Sequence, residues 1–221
     1  EPLQEPAEQG APSTSNVDQT RNSAEPSQST KKYEITDIAH PVYPELHRIR
    51  ALRQVGIDVP VGELGGFVQS EANLSQDRDE AWLYGDSVSR DDARVCDGAR
   101  LYDQAMAQDL ALVSGSSTMY DNAVACDNAI LTAGCIRNEA IVCGNARVRE
   151  NTITHASPVV TGQGVVMGDI SGCIVVFEQG FVLPGQTIDN PIRDLIGISD
   201  RTVAIAWNRG RQNHFRNTPE R

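Results

Sequence analysis

The chain has 221 residues, enough for one sizeable domain or two small ones, and 19 basic against 30 acidic side chains give it a formal net charge of −11. That balance argues against a protein held to nucleic acid by counterion release into clustered lysines and arginines, and the absence of any run of about 18 apolar residues excludes a bilayer-spanning helix. Aromatic residues are only 5% of the chain, and its five cysteines (Cys96, Cys126, Cys135, Cys143, Cys173) include no CxxC pair, which speaks against a core of large rings, a structural zinc site and a fully paired disulfide framework.

Residues 1–32 read as a polar leader. Between Glu1 and Thr30 there are four prolines, five acids, one arginine and no aromatic residue, a composition that cannot offset its ordering entropy, so disorder is expected. With Glu1 rather than Met at its start the chain is expected to lack its native N-terminus, and the Ser/Pro-rich character is similar to the secretion leaders of bacterial injected effectors, against a plain solvated tail or linker as the favoured alternative on composition. The protein is therefore expected in the bacterial cytoplasm or exported through this leader. Residues 33–79 change character: the alternation from Leu46 to Leu52, a turn near Gly56 and Asp58, and a run from Val59 to Val68 broken by Gly65-Gly66 predict a small β cap.

From Glu80 to Gly168 the chain repeats every six residues. Second positions are small (Ala81, Ser87, Ala93, Ala99, Ala105, Ala111), fourth positions are mostly aliphatic (Leu83, Val95, Leu101, Val113, Met119, Leu131), and sixth and first positions carry turn pairs such as Asp97-Gly98 and Asp127-Asn128. A pentad from Gly134 to Asn138 slips the register once. Equivalent short strands separated by corners cannot alternate as hairpins, so they predict an all-β fold, a single-stranded parallel β-solenoid. Columns 18 residues apart, such as Tyr84, Tyr102 and Tyr120, predict three-sided coils of about 18 residues, with about five turns between Glu80 and Gly168. Residues 169–221 are assigned to a C-terminal cap and a basic tail, with Ile174 to Phe177 and Phe181 to Leu183 as the apolar part.

The aliphatic residue followed four later by a small one, as Val95 to Ala99 and Leu101 to Ala105, resembles the hexapeptide-repeat left-handed β-helix superfamily. The cap segments Arg48-Ile49-Arg50-Ala51-Leu52, Leu64-Gly65-Gly66-Phe67-Val68 and Glu71-Ala72-Asn73-Leu74-Ser75, joined to repeats like Gly144-Asn145-Ala146-Arg147-Val148, resemble its YdcK-like branch over Leu46 to Gly168. The resemblance implies a left-handed coil, trimers and a transferase label that rests on fold analogy.

Hexapeptide acyltransferases use a histidine general base beside a cleft made by a neighbouring subunit or a long corner excursion. The repeats hold one histidine, His155, and the hexad register shows no such excursion, so His155 is a catalytic candidate set against a plain surface histidine. Three metal-binding histidines, as in β-helical carbonic anhydrases, are absent. Asp91, Asp109 and Asp127 stack at corners, where accepting backbone N–H bonds is expected rather than metal binding. Cys126 and Cys143 stack on adjacent coils at a disulfide-compatible spacing, and free thiols are expected. No cofactor and no metal are expected.

One face stands out. Val88, Met106, Val124, Ile141 and Val159 occupy third positions, which point outward when second and fourth positions point in, so they form an apolar column that something covers. A local inversion that turns these side chains inward is the alternative. The covering surface is a second copy, a foreign partner, or the chain's own cap and tail, of which Ile174 to Leu183 reaches only part of the strip, so an intermolecular contact is expected. The sequence thus points first to a non-enzymatic binding or scaffold protein, second to an acyltransferase with an acyl-CoA donor, and last to an acidic rod mimicking DNA.

Overall fold

A corner every six residues leaves room for strands of only two or three residues, and such strands hold only if each is bonded to the next coil rather than to its chain neighbour. The computed structural model describes residues 31–200 and the strand Val203–Trp207; the leader from Glu1 to Thr30 and the tail arginines 209, 211, 216 and 221 lie outside the described residues. Among the described residues every element is a β-strand.

The strands stack in parallel on three faces. On the first, Leu64–Val68 is followed by Val88–Ser89, Met106–Ala107, Val124–Ala125, Ile141–Val142, Val165–Val166 and Phe181–Val182. On the second, Trp82–Leu83 pairs with Arg100–Leu101 and the stack runs on to Val159–Val160, Ile174–Val176 and Leu195–Ser199. On the third, Arg94–Val95 begins a stack that reaches Arg147–Arg149, Asp169–Gly172 and Thr187–Asn190. The strands Leu112–Met119 and Ile130–Ile136 run around the corner between the third and second faces and join them into one sheet. The result is a β-solenoid of about seven coils, repeating about every 18 residues.

The interior follows the repeat. Ala81, Ala93, Ala99, Ala105, Ala123 and Ala129 at second positions are wholly buried, as are Leu83, Val95, Leu101, Val113, Met119 and Leu131 at fourth positions. Small residues are needed where the chain enters a side, because three walls converge there; the aliphatic residues two positions later fill the space that remains.

Corners fix the winding. Asp91, Asp97, Asp103, Asp109, Asp121 and Asp127 all take φ between 56° and 61°. A left-handed backbone costs an L-residue roughly 1–2 kcal/mol, least for Asp and Asn. The carboxylates offset that cost by bonding along the axis: the Asp97 N–H donates to Asp79 Oδ2 at 2.9 Å, Asp121 to Asp103 at 3.2 Å and Asp127 to Asp109 at 3.1 Å. The corner aspartates therefore do what the sequence led us to expect. Where the coils crowd most, glycine replaces them: a Cβ on Gly115 (φ 60°) would lie 2.1 Å from the Thr132 carbonyl oxygen.

The N-terminal end of the stack is closed by β1 (Tyr33–Ala39), β2 (His47–Ala51) and β3 (Leu64–Val68), antiparallel in sequence order, with β3 then starting the parallel stack. Tyr33 and Trp82 meet edge to face and are fully buried. Lys32, placed by sequence at the end of the leader, is also fully buried and pairs with Asp79 while donating to the Ala81 carbonyl at 3.1 Å. Burial pushes the Lys32 pKa down, and the Asp79 carboxylate opposes that shift.

Two departures from the hexad reading follow from the pairing. Ile141 pairs with Val165 and Cys135 with Val159, so the hexad Asn151 to Ala156 leaves the wall as a loop instead of adding a side. The winding also continues past Gly168, where the hexads fade: Asp169–Gly172, Ile174–Val176, Phe181–Val182, Thr187–Asn190 and Leu195–Ser199 are coil strands, and only Val203–Trp207 turns back antiparallel. Coils of uneven length hide this stretch from a search for a fixed period.

Ala99→Leu should destabilise the fold by about 1–3 kcal/mol, since the added methylenes have no space to enter, and a lowered urea midpoint checks it. Asp109→Ala should cost about 1–2 kcal/mol through the left-handed backbone and the lost acceptor, with Asp109→Gly costing less because glycine carries no backbone penalty there; the same titration separates the two.

Candidate functional site

Position in the coil decides what each side chain of the first face meets. Val88, Met106, Val124 and Ile141 are consecutive cross-strand partners, and the column goes on through Val165 and Phe181. Ala107, Ala125 and Val142 beside them are wholly buried while Met106, Val124 and Ile141 are half-buried, so the third positions point outward and the inverted alternative is excluded. Val159 is not part of the column. It lies between Cys135 and Val175 on the second face, because the looped-out hexad moves Val165 into the place expected for it. The Ile174 to Leu183 segment does not cover the column either, since it supplies coil strands and adds Phe181 to the row.

The chain's N-terminal strands cover one end of it. Val88 is only 2% exposed, packed with Leu46 and Phe67, and Tyr43 and Met106 complete the cluster. The turn between β1 and β2, His40-Pro41-Val42-Tyr43, overhangs the next coils and lines a half-open cleft of about 450 Å³. Val88, Met106 and Val124 supply its apolar side, and Asp86, Gln104 and Asn122, at the first positions of the same hexads, supply a polar edge.

His40 holds the overhang in shape. Its Nδ1 accepts the N–H groups of Val42 at 3.1 Å and Tyr43 at 3.2 Å, while its ring stacks on Tyr43 and meets the edge of Phe67. Arg48 lies 4.2 Å over the Phe67 ring, donates to the carbonyls of Gly65 and Gly85 and pairs with Asp86 at 2.6 Å. Arg90 caps the Tyr43 ring at 5.1 Å. An apolar wall, a polar edge and a braced rim suit recognition of a surface; with Nδ1 committed to the turn, His40 serves structure. Sequence reading passed over His40, although a His-Pro-Val-Tyr-Pro stretch between two alternating runs marks a rigid, aromatic turn.

His155 lies elsewhere, on a corner excursion that the hexad reading had not foreseen. It takes φ 54°, its side chain is 77% exposed, and its Nδ1 stands 2.6 Å from Glu150 Oε1. Asn151, 4% exposed, ties the loop down: its Oδ1 accepts the N–H groups of Ile153 at 2.9 Å and Thr154 at 3.0 Å, and its Nδ2 donates to Asp189 Oδ1 at 2.9 Å. Ser171 donates its hydroxyl to the same Asp189 oxygen. These bonds hold the Asp189 carboxyl below the usual carboxylate range.

Cys126 and Cys143 follow the paired strands Val124–Ala125 and Ile141–Val142, stacked as their spacing predicted, and all five cysteines are free. Together with Asp127 they bring three potential ligand atoms within 4.8 Å of one another. Burial, then the neighbouring Cys143 and Asp127, pushes the Cys126 thiol up to about 12, and burial raises Cys143 as well. On the second face Tyr84, Tyr102 and Tyr120 form the expected ladder, with ring centroids 4.4 and 4.7 Å apart.

No protein-family model matches the chain, and no curated protein matches it. Fold and site together define an all-β solenoid with an overhung apolar face.

Asp189 gives a pH signature. Its pKa is lower folded than unfolded, where it is about 3.9, so its contribution is complete above that value and is lost as pH falls through the folded pKa. Asp189→Asn should therefore lower the melting temperature at neutral pH, with the gap to the native chain closing in acid below about pH 4; paired thermal melts at the two pH values check this.

Proposed function

We propose that the protein is a non-enzymatic binding or scaffold protein that docks another protein surface against its first face. The observation that carries this reading is the half-buried row Met106, Val124, Ile141, Val165 and Phe181, which leaves the braced overhang at Val88 and runs along the axis. With strands about 4.8 Å apart, the row makes an apolar strip about 20 Å long, of a kind that soluble proteins cover. The backbone groups of this wall are spent on the coil ladder, so recognition falls to side chains: apolar contact along the row, with Gln104, Asn122, Glu139 and Gln163 as a hydrogen-bonding margin. The occupant is a second copy of the chain or a foreign protein. The sequence resemblance to the YdcK-like branch of hexapeptide-repeat β-helices favours a copy; the Ser/Pro-rich leader favours a foreign target met by a bacterial effector.

A second reading, a hexapeptide-type acyltransferase, draws support from the His155–Glu150 pair on the corner excursion, where a carboxylate orients an imidazole. Its exposure counts against it, because a general base works best where water is excluded. Acyl transfer from acyl-CoA that disappears in His155→Ala would favour the enzyme.

Met106→Lys with Val124→Lys places two ammonium groups in the docking surface. Lysine stems lie along apolar surface with the charge in water, so the fold should be retained while the oligomer dissociates or partner capture is lost. Light scattering and pull-down with the purified double variant read this out. An unchanged assembly and unchanged capture would sink the docking role of the face.

A further inference from the structure

We propose that Cys126, Cys143 and Asp127 bind one thiophilic divalent cation of the zinc class at the corner that follows the first face. The three candidate ligand atoms already lie within 4.8 Å of one another. Around a tetrahedral ion with metal–sulfur bonds of about 2.3 Å and metal–oxygen bonds of about 2.0–2.2 Å, ligand atoms stand roughly 3.5–3.8 Å apart, so contraction by at most about 1.3 Å closes the site.

The backbone sets the two thiols side by side. Cys126 N donates to the Val142 carbonyl at 3.0 Å and Cys143 N to the Val166 carbonyl at 2.9 Å, which locks the two residues into neighbouring coils. Asp127 is fixed by the corner ladder: its N–H donates to Asp109, and its Oδ2 accepts the Gly144 N–H at 2.9 Å. Its Oδ1 takes no hydrogen bond among the described residues.

The same two corner positions change chemistry from coil to coil. Two coils earlier they hold Arg90 and Asp91, one coil earlier Gln108 and Asp109, with the Arg90 guanidinium bonded to Gln108 at 2.7 Å. They then become Cys126-Asp127, Cys143-Gly144 and Met167-Gly168, a sulfur on three successive coils. Gly144 (φ 67°) replaces the ladder aspartate, and the nearest atom to a Cβ built there is the Met167 methyl at 3.7 Å, so the flank of Cys143 is left open. A water or the Met167 thioether completes four-coordination. Sulfur donors select zinc-like ions over calcium or magnesium. On binding, both thiols give their protons to solvent, the ion sheds water, and no electron moves. The repeat already stacks Cys126 on Cys143, yet two thiols 17 residues apart lack the CxxC spacing by which a sequence announces a zinc site.

The test uses the full chain, reduced with a phosphine, stripped by a chelator and titrated with cobalt(II). Tetrahedral thiolate binding predicts one cobalt per chain with intense visible bands and a near-ultraviolet thiolate-to-cobalt charge-transfer band, displaced by zinc. Cys126→Ser and Cys143→Ser should each abolish that band and weaken zinc binding by about 100-fold or more, the consequence of losing one of three protein ligands. Cys96→Ser should change nothing. Zinc should also protect Cys126 and Cys143, but not Cys96, from alkylation in the native chain, which keeps the test independent of any variant. Only weak octahedral cobalt bands, equal alkylation with and without zinc, or a disulfide between Cys126 and Cys143 that persists in the phosphine would each overturn the proposal.

Discussion

Turning every six residues without a hairpin puts one residue at most corners into the left-handed backbone region, and the rest of the molecule is arranged around that constraint. The corner aspartates accept it at φ 56° to 61° and turn it to use, the carboxylates of Asp91, Asp103, Asp109, Asp121 and Asp127 each receiving the N–H of the corner one coil on. Because the corner residues bond along the axis, strand ends stay aligned, and two-residue strands suffice to carry a sheet. Alanine at the next positions then lets the three walls meet, and the aliphatic residues two places later close the core.

Inside, every coil obeys the same rule; outside, each face is free to differ. The tyrosine ladder, the apolar row and the sulfur column are all outward columns whose members share one place in the repeat, brought together by pairing of residues distant in sequence. Such columns concentrate one chemistry along a straight line. The overhanging turn at His40 breaks the translational symmetry and distinguishes one end of the apolar row from the other.

The fold was legible because its rule is local: small second positions, aliphatic fourth positions and aspartate corners report their own burial and backbone conformation. The Tyr84 column and the Val88-to-Ile141 row follow from an 18-residue period while that period holds. Val159 was misplaced because Asn151 to Ala156 has hexad length and hexad-like composition, yet its backbone bonds go to Asn151 rather than to neighbouring coils. The later coils escaped notice because their side lengths vary. The overhang was illegible for another reason: it depends on His40, Phe67, Arg48 and Asp86, four residues from separate segments whose meeting no period encodes.

The looped-out hexad carries a wider implication. Cys135 pairs with Val159 and Ile141 with Val165 as if the intervening six residues were not there, so the wall tolerates an ornament at a corner without shifting any neighbour out of line. A side-chain anchor, Asn151, ties the loop base, and its bonds are largely confined to the loop and Asp189. Architecture and decoration are thereby separable: evolution or an engineer can lengthen, exchange or graft a corner segment there while the register of every other coil is preserved.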